Sequence, residues 1–144
     1  MKEILFRGKR IDNGEWETGF LVIERYQTSE ERSYITDKMT GYHTPILPKT
    51  VGQYTGLTDK NGKKIFEGDI ISAITLDTGN EQRAVVCFGN FIDENNGDEY
   101  IGFFIDFDGI KTTITQLAMK ECKNRIEVIG NIHDNPELLD VSEK

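Results

Sequence analysis

Apolar and polar residues alternate with a period of two along most of the chain, and turns rich in Asn, Asp and Gly break the alternation at short intervals. That is the pattern of a protein built from β-hairpins. Residues 3–11 and 15–23 flank Asp12-Asn13-Gly14, and Asn-Gly between alternating segments is the strongest short-range hairpin signal. On the second arm Trp16, Thr18, Phe20 and Val22 share one face, and Glu17, Gly19, Leu21 and Ile23 share the other. The face with the aromatic residues is expected to turn Trp16 and Phe20 into the core. Residues 24–41 are polar and weakly patterned, with a short strand over 33–36. The following YHTPILPKT carries two prolines, which fix φ and remove donors, so an extended connector or a sheet edge is predicted there.

The chain is organised around residues 51–71, VGQYTGLTDKNGKKIFEGDII. Asn61 and Gly62 are expected to take positive φ in a tight primed turn. Glu67-Gly68-Asp69 marks a second turn just before the run of Ile70, Ala73, Ile74 and Leu76. Residues 70–76 and 82–88 predict one hairpin, and 99–107 and 110–115, joined at Asp108-Gly109, predict another. Residues 89–98 are expected to form a long polar loop, and 116–123 a turn or two of helix. Residues 125–130 predict a last strand, after which Asn135-Pro136 is expected to cap and start a terminal helical turn containing Leu138 and Leu139. Eight or nine short strands point to an all-β, β-dominated fold in a single domain over 1–144. Within it, residues 1–50 make an N-terminal hairpin and connector. Residues 51–139 are expected to make a small SH3-like barrel, and that hairpin to pack on it or to extend one of its sheets.

Length and charge narrow the picture. A chain of 144 residues buries about 68–70% of its unfolded surface, enough for one core. The formal net charge of −8 opposes binding to nucleic acid or an anionic membrane surface unless a local patch outweighs it. Cys87 lies in the apolar run AVVCF and Cys122 in the polar run KECKN. Neither has disulfide or metal-ligand spacing, so both read as reduced thiols. No apolar segment of signal-peptide or membrane-span length occurs, and a cytoplasmic location is expected.

Motifs of known chemistry fail on spacing. GLTDKNGKK has five residues between its glycines and no Ser or Thr after the lysine, unlike a phosphate loop. DENNGDE, counted from Asp93, places Asp98 sixth and Phe104 twelfth, where a calcium loop needs Gly and Glu. His43 and His133 have no Cys or His at ligand spacing. Ser29, Ser33, Ser72 and Ser142 lack a nucleophile elbow. Asp69 reads as a turn residue that bonds its own backbone. No catalytic residue, metal ligand or cofactor is therefore assigned and the chain is not expected to be an enzyme; an enzyme of unrecognised type, its groups converging from distant positions, is the third reading. Tyr42, His43 and Tyr54 are the candidate binding residues. Asn13, Gly14, Asn61, Gly62, Gly68, Asp69, Asn135 and Pro136 are the candidate structural turns. A protein partner is expected, self-association through strand edges is a related possibility, and the basic turn of Lys60, Lys63 and Lys64 offers a nucleic-acid alternative.

Three blocks, FRGKRIDNGEW at 6–16, TVGQYTGLTDKNGKKIFEGDI at 50–70 and EVIGNIHDNPELL at 127–139, together closely resemble the YopX-like family encoded by phages and prophages of Gram-positive bacteria. The resemblance implies a β-rich fold with an SH3-like barrel, a phage or prophage origin, and a cytoplasmic home in the host cell. It implies no activity, because that family has no established biochemical function. Barrels of this kind host many unrelated tasks, so the fold does not supply one.

Overall fold

The computed structural model describes residues 3–74, 78–115 and 125–140. The helix expected over 116–123 lies outside these residues, as do Leu76, Cys122 and Ser142. The chain divides into two compact units, Met1–Gly56 and Leu57–Lys144. Its described strands are β1 (Phe6–Lys9), β2 (Trp16–Arg25), β3 (Glu31–Thr36), β4 (His43–Ile46), β5 (Gly52–Thr58), β6 (Lys64–Phe66), β7 (Asp69–Ile74), β8 (Glu81–Ile92), β9 (Glu99–Phe107), β10 (Ile110–Thr113) and β11 (Ile126–Asn131). They form two antiparallel sheets, and neither closes into the expected SH3-like barrel. One sheet runs β4-β3-β2-β1-β5-β6, the other β10-β9-β8-β7-β11.

In the first unit β1 pairs with both β2 and β5, and β3 joins β2 to β4. An isolated bridge between Arg10 and Ile46, with the Leu47 N–H donating to the Lys9 carbonyl at 2.8 Å, rolls the sheet so that β4 meets the end of β1. The inside of this roll holds Gly8, Gly19, Ser33, Ile35, Thr44 and Ile46, all buried. The expectation for β2 is reversed: Phe20 is 48% exposed and Trp16 only half-buried. The interior is too narrow for aromatic rings. A Cβ built on Gly8 would collide with Ile46 Cδ1, and one on Gly19 with the backbone oxygen of Thr36. Glycines therefore face inward and the rings outward, where the Arg7 guanidinium lies 4.6 Å over the Trp16 ring. The two prolines of the connector sit as expected, Pro45 on the edge strand β4 and Pro48 at the start of a 3-10 turn, Pro48–Thr50.

The second unit is built around Ile65, Ile71, Ala84, Val86, Ile105, Ile126 and Val128. Strand β7 lies between β8 and β11, and its residues Asp69 to Ser72 are buried without alternation. Ladder β8–β9 pairs without interruption from Val85↔Asp106 to Ile92↔Glu99. Strand β8 therefore runs on through four residues expected to be loop. Asn90 and Phe91 belong to a ladder, and only residues 93–98 turn the chain.

Candidate functional site

The central block is held by carboxylates. Asp59, 2% exposed, accepts the Asn61 and Lys63 N–H groups on Oδ1 at 2.8 and 2.9 Å, and the Val128 N–H on Oδ2 at 3.0 Å. Burial pushes its pKa up, but the three N–H donors and nearby Lys63 outweigh that, and the net shift is downward. The turn it closes is wider than the primed two-residue form. Asp59 N–H donates to the Lys63 carbonyl and Gly62 N–H to the Asp59 carbonyl, and of Asn61 and Gly62 only the glycine has positive φ, at 81°. That is a type I turn with a glycine bulge. Asn13-Gly14 behaves likewise, with Gly14 alone at φ 74° inside a loop closed by Arg10 N–H to the Glu15 carbonyl.

Asp69, buried, accepts the Phe66 N–H at 2.8 Å while Gly68 takes φ 93°. Sequence spacing did not single out two further carboxylates of this type. Asp93 accepts the Asn95 N–H and, across the loop, the Thr113 N–H; Asp37 accepts the Met39 and Thr40 N–H groups. An Asp two residues before a turn amide was the available signal. Asn135 departs from its expected role: its side chain does not cap the Pro136–Leu139 turn but accepts the Asn131 N–H at 3.3 Å. Gly130 leaves the space that Asn135 and Leu138 occupy.

The three candidate binding residues do not form one surface. Tyr42 is exposed and His43 heads β4, its Nδ1 2.7 Å from Thr36 Oγ1. Tyr54, by contrast, is buried, with its N–H on the Leu5 carbonyl. Lys60 pairs with Glu127 at 3.4 Å, which offsets one charge of the basic turn. His133 lies in the second unit with its N–H on Asn131 Oδ1. Among the described residues no group of three or more His, Cys, Asp or Glu is placed to hold a metal.

Two features of the second unit remain. A cavity of about 570 Å³ is lined by Glu81, Arg83, Asp106, Phe107, Ile110 and Leu139 among others. Three of its polar side chains hold neighbours: Glu81 accepts from Ser72 and pairs with Arg83, Arg83 donates to the Leu138 carbonyl, and Asp106 accepts the Gly109 N–H. The other feature is the outer half of β8–β9. On one face the ladder begins in the core with Ala84, Val86 and Ile105, then continues as Phe88↔Phe103, Asn90↔Ile101 and Ile92↔Glu99. Phe88, Ile92 and Ile101 are 51%, 61% and 79% exposed, with Phe88 edge-on to Phe103 at 5.0 Å. On the opposite face Phe91 stacks on Phe104 at 4.6 Å. One side of the outer ladder thus carries buried Phe91 and Phe104, and the other leaves Phe88, Ile92 and Ile101 exposed with polar Asn90 and Glu99 among them. Cys87, beside Phe88, is a half-buried free thiol whose pKa burial, then Asp106 and Glu67, push up to about 11.

An all-β chain of two antiparallel sheets, its turns locked by buried aspartates and one hairpin face left apolar in solvent, defines the class of protein at hand. The YopX protein family matches over residues 5–140, and the chain belongs to that family. In fold it is similar to the crystal structure of protein EF1440 from Enterococcus faecalis, at a TM-score of 0.51 and 23% identity, over 96% of this chain and 99% of that one. No curated protein matches the chain. Among the described residues no helix is long and apolar enough to cross a membrane.

Proposed function

We propose that the chain is a non-catalytic binding module of phage or prophage origin, working in the host cytoplasm, which captures a protein partner on the outer face of β8–β9. The observation that carries this reading is the exposure of Phe88, Ile92 and Ile101 on one continuous face of a rigid ladder. Three large apolar side chains aligned on regular strands form an anchor of the kind that dominates interfaces, and their fixed backbone lowers the entropy lost on binding. Glu99 stands opposite Ile92 and supplies a polar rim. The described carboxylates with lowered pKa, Asp12, Asp37 and Asp59, are explained by an ion pair or by turn N–H groups, which supports a structural use of acidity rather than acid–base chemistry.

Burying an exposed Ile or Phe contributes about 1.5–3 kcal/mol, so Ile101→Glu should weaken capture by at least tenfold while leaving the fold intact. The test is a tagged pull-down from cells carrying the gene, with wild type and Ile101→Glu in parallel. One specific protein recovered by the wild type and lost with the variant supports the reading. Equal recovery by both, or recovery of nothing specific, refutes it. Self-association through the same face is a separate result, visible in sedimentation as a dimer that Ile101→Glu dissociates.

A further inference from the structure

Two loops of the second unit carry the same short pattern, Asp59-Lys60-Asn61-Gly62 and Asp93-Glu94-Asn95-Asn96-Gly97. One joins β5 to β6, the other β8 to β9. Inside each loop the hydrogen bonds correspond. The Asp N–H donates to the carbonyl of the closing residue, Lys63 or Asp98, and the Asp carbonyl accepts the N–H of Gly62 or Gly97. Oδ1 accepts the N–H two residues on, from Asn61 or Asn95, at 2.8 Å in both. Both glycines take positive φ, 81° and 75°. So far this is an Asp-closed turn, made twice.

The bonds that leave the loops correspond as well. Oδ2 of Asp59 accepts the Val128 N–H at 3.0 Å, and the Lys60 N–H donates to the Ile126 carbonyl at 2.9 Å. Oδ2 of Asp93 accepts the Thr113 N–H at 3.0 Å, and the Glu94 N–H donates to the Lys111 carbonyl at 3.0 Å. Each loop thus takes a carbonyl and the N–H two residues further along one strand, the groups with which an added antiparallel strand would pair. Strands β11 and β10 are the two outer strands of the five-stranded sheet. Unpaired N–H and C=O groups at a sheet edge are a template for another chain. Both aspartates are buried, although residues 60–63 and 94–98 around them are exposed. Asp37 supplies the contrast: it closes a turn on the Met39 and Thr40 N–H groups, stays exposed, and bonds within its own loop.

We infer that Asp59 and Asp93 are latches that close both edges of this sheet, and that releasing the Asp93 latch turns β10 into a surface that pairs with a second copy of the chain. The Asp93 latch is the one that opens without unfolding the unit. Its bond to Thr113 is only part-buried, whereas the bond of Asp59 to Val128 is buried. Three of the four residues of β10, namely Ile110, Thr112 and Thr113, are β-branched, which favours extended pairing once the edge is free. This edge is independent of the face formed by Phe88, Ile92 and Ile101 and stands or falls separately.

The test uses the full chain carrying Ile101→Glu, so that association through the β8–β9 face does not enter. Sedimentation over a range of concentrations at neutral pH compares this parent with Asp93→Ala and with Asp93→Ala plus Lys111→Pro. The Lys111 carbonyl bonds outward to Glu94, so its N–H points outward too, and proline there removes a donor that a new strand would need while sparing the ladder to β9. The parent should be monomeric. Asp93→Ala should associate roughly tenfold more tightly than the parent, or better, and Lys111→Pro should return it to the monomer. The Thr113 amide, followed by NMR, should exchange faster in Asp93→Ala while circular dichroism is unchanged. If Asp93→Ala does not fold, Asp93→Asn, which keeps one acceptor oxygen, takes its place with the same readings. A folded Asp93 variant that stays monomeric, association that survives Lys111→Pro, or a parent that already associates and is dissociated by Lys111→Pro alone would each overturn the assignment.

Discussion

Replacing Asp59 by Ala removes the acceptor for three backbone N–H groups at once, and the structure sets the magnitude of the loss. The Val128 N–H is buried and 69 residues away in sequence, so water does not replace its partner. A buried hydrogen bond to a charged group contributes about 1.5–3 kcal/mol. The Asn61 and Lys63 N–H groups lie in a partly exposed turn and lose less, about 0.5–1 kcal/mol each. Asp59→Ala should therefore destabilise the second unit by about 2.5–5 kcal/mol. Asp59→Asn keeps one carbonyl oxygen and presents an amide where the second oxygen stood, so its loss should be intermediate. The assay is urea denaturation followed by circular dichroism, with exchange of the Val128 amide read by NMR. The pH dependence has a definite sign. The folded pKa of Asp59 is lowered, so its contribution is fully present above the unfolded value of about 3.9 and is lost as pH falls through the folded value. The gap between wild type and Asp59→Asn should be constant from pH 7 to pH 5 and close below about pH 4. A loss under 1 kcal/mol for Asp59→Ala, or a gap that widens in acid, would refute the role given to this carboxylate.

Three further outcomes follow from packing and burial. Gly19→Ala should destabilise the first unit by about 1–3 kcal/mol, measured by Trp16 fluorescence in denaturant, because the new methyl meets the Thr36 backbone oxygen, which cannot move aside as a side chain can. Thr112→Val should stabilise by about 1 kcal/mol in thermal unfolding, since the Thr112 hydroxyl is buried without a hydrogen-bond partner. In a Cys122→Ser background, Cys87 should react with a disulfide reagent at pH 8 at least tenfold more slowly than a free thiol of ordinary pKa, because a pKa of about 11 leaves little thiolate.

Most strands were legible because period-two alternation and glycine turns are local signals. Strand β9 spans the residues expected, β7 starts one residue early and β11 is shifted by one. What the sequence hid depends on contacts far apart in the chain. The choice of inward face on β2 is made by Gly8, Gly19 and Ile46 meeting inside a narrow roll, so the more apolar face is the one left outside. Strand β8 outran its expected end because Gly89 and Asn90 read as loop residues, yet Gly89 stands opposite Gly102 in the ladder, at φ 152° and 157°. Those values favour glycine and let the hairpin continue, with Phe91 crossing to stack on Phe104. The absence of a closed barrel could not be read from strand count, since closure depends on register between non-neighbouring strands. Of the candidate site, Tyr42 and His43 lie exposed as aromatic and polar residues near a turn often do. Tyr54 is buried on β5, which pairs with β1. The apolar face of β8–β9 was hidden inside runs that composition alone assigns to a core.

The central claim is that Phe88, Ile92 and Ile101 form a protein-binding face. The most direct measurement places a photo-crosslinking phenylalanine at position 101 in the full chain, inside cells carrying the gene, with position 108 as the control. The account predicts one discrete adduct with a different protein from position 101, absent from position 108 and abolished by Ile92→Glu. Adducts that are equally abundant at both positions, or that survive Ile92→Glu, would contradict it.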